Sequence, residues 1–306
     1  MQCTTLLKTG CRQGQPCGRA LPCVYHRDTL GRTKWFPTVF EFVGDYDHLT
    51  SIRTVCKDFQ QAITRQCVTR LRLKNNNEHV LNVVAPYLHI LLCPQQHLNG
   101  LPNLPNVRVL DCSYNRLGML PKLPKVEILK CIQSYLVILP DLPNATIIRC
   151  AFNQLKKLPP LPKAELLECS NNRLTALPEL PRVRNLDCSV NPLGTIPVLP
   201  KIKKLTCMHV QLTELALPVT ITELCCRGNL LTSLPPLPNV KVLDCSHNPL
   251  RVLPPLPLVE RLICRSNTLT ELPDLPQVRD LFCSYNRLTI FPHLPRLHML
   301  ECVNIQ

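Results

Sequence analysis

The sequence predicts a solenoid. Short parallel strands should stack on a concave side, the convex side should be extended or polyproline-like with little helix, and a small α-helical cap should cover the N-terminal end. Three observations carry this reading. Twelve cysteines, from Cys93 and Cys112 to Cys283 and Cys302, follow one another at a fixed step of 19 residues. Around them one unit recurs, V-x-x-L-x-C-x-x-N-x-L-x-x-L-P-x-L-P-x, with a clean copy at Val240, Leu243, Cys245, Asn248, Leu250, Leu253, Pro254, Leu256 and Pro257. Proline fills both L-P slots in ten of eleven units each, from Pro102 and Pro105 to Pro292 and Pro295. A period held this strictly over two thirds of the 306-residue chain means one structural unit copied and stacked.

Each part of the unit has a physical reason. Leu and Cys alternate as L-x-C, so both point to one face of a short strand. The Asn turns the chain, and its amide can hydrogen-bond backbone groups of the adjacent turn that otherwise lack partners. Proline has no N–H and biases its predecessor toward extended geometry, which argues against a convex helix. The unit from Cys207 to Cys226 departs from the pattern, with Ala216 and Val219 at the proline slots and Pro218 between them. A local irregularity is expected there. The last strand, Leu300-Glu301-Cys302, has four residues after it. Its core layer and edge should be partly open, which favours fraying or a C-terminal homodimer.

The start of the unit, L-x-x-L-x-C-x-x-N-x-L, resembles the leucine-rich repeat, with Cys in the third apolar slot. The resemblance spans residues 67–306. The short period and paired L-P-x-L-P are also similar to the repeats of bacterial type III effector proteins. The resemblance implies a leucine-rich-repeat solenoid whose concave sheet binds a protein.

The cysteine ladder is expected to be packing, since free Cys is a small, well-buried hydrophobe that suits a narrow core. A regular parallel stack does not give the Cβ orientation that a disulfide needs. Residues 1–10 lack the apolar core of a secretory signal, and proline interrupts every apolar stretch, so no membrane span is expected. The implied compartment is reducing and intracellular, cytoplasmic or nuclear. Net charge is +14, but it is spread out. Residues 1–92 carry 12 Lys and Arg against 6 Asp and Glu, and residues 93–306 carry 23 against 15. The densest basic group, Lys201, Lys203 and Lys204, is too small for a phosphate-binding stripe, so nucleic acid is not the expected partner.

Two further pieces precede the repeats. In residues 33–66 a short helix is expected over Thr38–Val43. A second runs from near Asp47 to about Ile63, with Leu49, Ile52, Val55, Cys56, Phe59 and Ile63 at helical spacing. One reading is a plain solenoid cap. The other rests on Phe36-Pro37, Leu49 and Ile52-Arg53-x-Val55-Cys56-Lys57-Asp58-Phe59, which resemble an F-box. The interval from Pro37 to Val55 is about one helical turn shorter than in that family. The resemblance implies docking on the Skp-type adaptor of a cullin ubiquitin ligase through Pro37, Leu49, Ile52, Val55, Cys56 and Phe59. In residues 1–30, Cys3, Cys17, Cys23 and His26 resemble a Cys/His motif of large nucleocytoplasmic DNA viruses, with Cys11 extra. That resemblance implies a structural zinc with four protein ligands and no open position. It also implies a viral protein acting in an infected host cell. The alternative is a tail with ordinary thiols.

No enzyme signature is present: there is no G-x-S-x-G, no P-loop and no H-E-x-x-H. The expected role is a non-enzymatic adaptor whose repeats hold a substrate protein, or alternatively a binding scaffold with no ligase link. Two groups stand out where concave positions stop being polar. Tyr114, Ile132, Tyr135 and Phe152 form one, expected on neighbouring strands. Arg227, Ile263, Arg265, Phe282 and Tyr285 form the other. Exposed aromatics with Arg have the composition of binding hot spots, and the second group is the expected substrate site because it lies farther from the F-box-like segment. Alternatively, some of these rings pack along the repeat edge.

Overall fold

The computed structural model describes residues 70–73, 81–82 and 84–303, together with the backbone of three short strands at 26–27, 33–34 and 40–41. Strands β1 (His26–Arg27) and β2 (Thr33–Lys34) pair antiparallel. Strand β3 (Phe40–Glu41) pairs parallel with β4 (Arg70–Arg72) and so joins the main sheet. Phe40–Glu41 is therefore strand where the sequence suggested a short helix: pairing with β4 overrides local propensity there. The second expected helix and the residues Pro37, Leu49, Ile52, Val55, Cys56 and Phe59 lie outside the described residues.

From β4 onward the sheet adds one parallel strand per turn, in chain order, to β16 (Met299–Glu301). Between β5 (Ile90–Leu92) and β16 every rung aligns residues 19 apart, as in Leu91 with Leu110 and Leu110 with Leu129. Helix among the described residues is confined to positions 81, 82 and 84–87, ending in a 3-10 turn at Ala85–Tyr87. On the convex side, residues such as 252–256 form neither helix nor strand. A tight turn then returns the chain, with the Val259 N–H donated to the Leu256 carbonyl at 3.4 Å. The unit with displaced prolines keeps this turn, since the Ile221 N–H reaches the Pro218 carbonyl at 3.3 Å. Pro218 takes the place of the usual Leu, and that position needs only to offer its carbonyl.

The core is one continuous column of the strand leucines, the cysteines and the Val and Leu of the return turn. Cysteines from Cys93 to Cys283 in the ladder are all fully buried. Cys302 is half-buried, with its sulfur 3.2 Å from that of Cys283. In the last described strand Leu300 is 49% exposed, where Leu281 on the rung before is 0%.

The Asn of the unit locks each turn to its neighbour. The Nδ2 of Asn248 donates to the carbonyls of its own Cys245 at 3.1 Å and of Cys226 one rung back at 3.0 Å. Its Oδ1 accepts the Leu231 N–H at 3.1 Å. Asn115, Asn153, Asn172, Asn191, Asn229, Asn267 and Asn286 bind two rungs in the same way. Each bond is worth about 1 kcal/mol, but an orphaned buried partner costs about 1–3 kcal/mol.

Between the units of Cys112 and Cys283, two lack this Asn and have Ser134 and Val210 instead. In both cases the preceding turn carries a glycine in the left-handed region, Gly118 at φ 64° and Gly194 at φ 68°. Their N–H groups donate to the backbone carbonyls of Ser134 (3.3 Å) and Val210 (2.9 Å). The Ser134 hydroxyl still donates to the Cys112 carbonyl at 3.0 Å, and at both sites the glycine adds a backbone link that only a residue tolerating φ > 0 makes without strain. The residues after Ser134 and Val210, Tyr135 and Gln211, also turn left-handed at φ 59° and 64°. The irregularity of the Cys207 unit therefore sits at this turn and not at its prolines.

Burial raises the thiol pKa values along the ladder from the ordinary 9.0, to about 12 for Cys93, Cys150 and Cys264, with nearby carboxylates adding to the shift. The folded state holds these protons more tightly than the unfolded chain does. Stability from this source is intact below pH about 9 and falls as pH rises toward the folded values. Each thiol contributes up to about 1.4 kcal/mol per pH unit in that window. Urea midpoints should therefore drop steeply above pH 9, and less steeply in a Cys131→Ala, Cys169→Ala, Cys207→Ala variant. Equal slopes in the two proteins would rule out the thiols as the cause.

Candidate protein interface on the concave sheet

Each three-residue strand turns its middle residue into the core and its first and third residues to the concave face, as the burial of β6 (Val109–Asp111) shows. The first positions of five adjacent strands are Ile90, Val109, Ile128, Ile147 and Leu166. All five are half-buried in the chain alone. They form an apolar stripe crossing rungs about 4.8 Å apart. The stripe stops at β10 (Asn185–Asp187) and β11 (Lys204–Thr206), whose first residues are polar. Beside it the third position of β5 is Leu92, and those of the next four strands are charged: Asp111, Lys130, Arg149 and Glu168, with Arg149 Nε 3.5 Å from Glu168 Oε2. An apolar track flanked by charges is the composition of a binding face with a polar rim.

Within a single unit no residue marks this stripe. Its column is a variable position of the unit, and an isolated Ile or Val before a Leu reads as ordinary strand. Only alignment at the 19-residue step reveals five branched residues in succession.

The aromatic group lies elsewhere than expected. Tyr114, Tyr135 and Phe152 are exposed at 46%, 54% and 56%, but on the turn that follows the strands and not on the strands themselves. Tyr114 and Phe152 share a column with Gln95, Gln133, Asn171, Val190 and Tyr285, every one left-handed at φ 49–60°. The cause is the ladder: the Tyr114 N–H donates to the Ile132 carbonyl at 2.7 Å, Phe152 to Ser170 at 3.0 Å and Tyr285 to Val303 at 2.9 Å. The left-handed turn extends rung-to-rung bonding past the strand, at about 1–2 kcal/mol per non-Gly residue. Ile132 is half-buried beside Tyr114.

The second group is largely occupied with itself. Phe282 is buried, at 7% exposure, which corrects its expected place as an open concave anchor. The guanidinium of Arg261 lies 5.3 Å from its ring centroid and that of Arg265 5.0 Å. Arg265 also pairs with Glu301 on the last strand. Arg227 is exposed, with Nη2 3.4 Å from His247 Nε2. Ile263 is half-buried, and Tyr285 stands exposed on the turn column. Two long cations folded over one ring bury it, and no sequence signal marks that closure.

Of the proposed zinc ligands, His26 opens β1, while Cys3, Cys17 and Cys23 lie outside the described residues. Among the described residues no cluster of His, Cys, Asp and Glu has a metal-binding arrangement, and no helix is long and apolar enough to cross a membrane.

No protein-family model matches the chain, and no curated protein does. Solved structures do. YopM from Yersinia pestis, described as a leucine-rich effector protein, is 28% identical with a TM-score of 0.56, over 80% of this chain and 88% of that one. YopM from Yersinia enterocolitica WA-314 is 29% identical with a TM-score of 0.60, over 86% of this chain and 69% of that one. The functional domain of InlJ from Listeria monocytogenes, described as including a cysteine ladder, is 22% identical with a TM-score of 0.53, over 80% and 60%. The fold is therefore that of the leucine-rich-repeat proteins, similar in particular to a bacterial effector.

The contrast between the two aromatic environments is measurable. Phe282→Ala should cost about 3 kcal/mol, the range for a buried ring, whereas Tyr285→Ala should stay within about 0.5 kcal/mol. Denaturant unfolding of the two variants checks this. Equal small effects would mean that Phe282 is not enclosed by its arginines.

Proposed function

We propose that this chain is a non-enzymatic adaptor: its concave sheet takes up a target protein, and residues 33–66 dock the assembly on the Skp-type adaptor of a cullin ubiquitin ligase. The observation carrying the target-binding part is the stripe Ile90, Val109, Ile128, Ile147 and Leu166, a continuous apolar track left half-open in the chain alone. Such a patch on a soluble face marks an interaction site. The exposed Tyr114, Tyr135 and Phe152 adjoin the same rungs and extend the contact to the rim. Support for the ligase part is the Ile52-Arg53-x-Val55-Cys56-Lys57-Asp58-Phe59 resemblance. The chain would catalyse nothing itself and would act by raising the effective concentration of target lysines near a ubiquitin-loaded enzyme. This reading places the protein inside an infected host cell, with Arg227 and Tyr285 as secondary contacts.

The test is co-purification of the full chain with a Skp-type adaptor and with its captured target. Val55→Asp should abolish adaptor binding and spare target capture. Ile128→Gln with Ile147→Gln should reduce capture by about tenfold or more and spare adaptor binding, with unchanged melting. If the wild-type chain fails to bind any such adaptor at micromolar concentration, the ligase link is wrong and a plain binding scaffold remains. Unaltered capture by the stripe variant would place the target elsewhere.

Residues Cys3, Cys17, Cys23 and His26 are proposed to hold one structural zinc. Elemental analysis of the purified chain should find about one zinc per chain, lost in Cys23→Ser; a metal-free wild type refutes the assignment.

A further inference from the structure

The return turn and the residue just before each strand form a lip along the strand-entry edge of the concave face. At two places on this lip, charges on adjacent rungs neutralise one another. Arg108 pairs with Glu127 at 3.5 Å and Lys241 with Glu260 at 3.9 Å. One stretch is different. From 182 to 203 the chain carries Arg182, Arg184, Lys201 and Lys203 against the single acid Asp187, and the next cation, Lys204 on the strand itself, is paired with Glu223 at 2.7 Å. Asp187 accepts the Ser189 N–H at 3.1 Å.

The fold stacks these charges side by side. The N–H groups of Lys203 and Lys204 both donate to the Arg184 carbonyl, at 2.8 and 3.0 Å, so Arg184 and Lys203 occupy adjacent rungs of one column. Arg182 and Lys201 occupy the neighbouring turn column after Lys163. Side chains of that column reach one another, as Lys163 Nζ does to Asn144 Oδ1 at 2.7 Å and Lys125 Nζ to Asn106 Oδ1 at 2.7 Å. Arg182, Arg184, Lys201 and Lys203 are all exposed, and among the described residues none has an ion pair or side-chain hydrogen bond. Glu165 is the carboxylate one rung before Arg184 in its column, and no ion pair joins them. Like charges abreast on neighbouring strands are unfavourable, and a negative ligand would relieve that repulsion.

We propose that this lip docks a carboxylate-rich segment of the protein taken up by the concave sheet. The proposal rests on the adaptor reading above and names the chemistry of its partner. Three features select this occupant. The cations are strung along two columns and do not converge on one point, which suits a row of separate carboxylates better than a single phosphate. No Phe, Tyr or Trp occurs between Phe152 and Phe282, so the lip lacks the aromatic platform on which single-stranded nucleic acid stacks. The apolar stripe ends at Leu166, on the rung just before Arg184 and Lys203, so an extended partner leaving the stripe meets the basic lip next.

Fluorescence anisotropy on the full chain tests this with three labelled probes: a twelve-residue alternating Glu-Ser peptide, its Lys-Ser counterpart and a twelve-nucleotide oligothymidylate. The Glu-Ser peptide should bind, weakening about tenfold as salt rises from about 50 to 300 mM, and the Lys-Ser peptide should not. Arg184→Glu with Lys203→Glu should weaken binding about tenfold or more. Lys156→Glu with Lys157→Glu makes the same charge change at exposed sites past the turn that follows the strand, and should leave affinity within about twofold. Melting curves confirm that both variants fold, and Arg184→Gln with Lys203→Gln provides a milder variant. Equal losses in the two charge-reversal proteins, tighter binding of the oligonucleotide than of the peptide, or no peptide binding would each overturn the proposal. If peptide binding is absent while target capture persists and still depends on Ile128 and Ile147, the lip fails and the adaptor reading stands.

Discussion

The asparagine that ties each turn to the one before it is the interaction on which the rest of this structure depends. A three-residue strand makes too few bonds to hold a rung by itself. The chain leaves the strand at once, and the carbonyls and N–H groups of that corner are buried. Asn248 serves two carbonyls of neighbouring rungs and one N–H with a single amide. Without it those groups would be orphaned in an apolar column. At Ser134 and Val210, where the amide is missing, the preceding turn carries a glycine whose backbone adds a link between rungs, and the Ser134 hydroxyl keeps the bond to the Cys112 carbonyl.

The same tight corner explains the left-handed column. Rung-to-rung bonding continues one residue past the strand only if that residue turns with positive φ, so the column accepts the conformation whatever its side chain. Tyr, Phe and Val adopt it alongside Asn and Gly. The side chain then points away from the core, and the column becomes an exposed rim whose residue types are free of packing duty. The narrow core imposes the opposite restriction on its interior. A turn of 19 residues has room for leucines and one small hydrophobe, and the thiol fits that place. The consequence is a row of buried acids whose ionisation the fold opposes.

The two ends of the concave face use their polar groups differently. Near β16, Arg261, Arg265, Phe282 and Glu301 close on one another, and the cluster contributes to the end of the stack. In the first half the branched stripe stays open and the neighbouring lip keeps cations without counter-charges. The proposed binding face is thus distinguished by what its residues leave unsatisfied and not by residue type. Arginine and aromatic residues together mark a hot spot only if they do not already satisfy each other.

By itself the sequence determined the architecture. The 19-residue step, the L-x-C alternation and the prolines specify a parallel stack with an extended convex side, because side-chain period and missing N–H groups act locally and repeat identically. The buried ladder from Cys93 to Cys283 follows from the same pattern. The glycines at 118 and 194 were also visible as letters, but their role depends on Ser134 and Val210 one turn away, a relation that exists only once turns are stacked. Tertiary structure alone decided the faces. It placed Tyr114 and Phe152 on a left-handed rim and not on strands, enclosed Phe282 between two arginines, and turned Phe40–Glu41 into a strand by pairing it with β4. It also aligned Ile90 through Leu166 into one stripe and set Arg184 beside Lys203. These outcomes depend on neighbours 19 or more residues away, where local pattern carries no information about which groups meet.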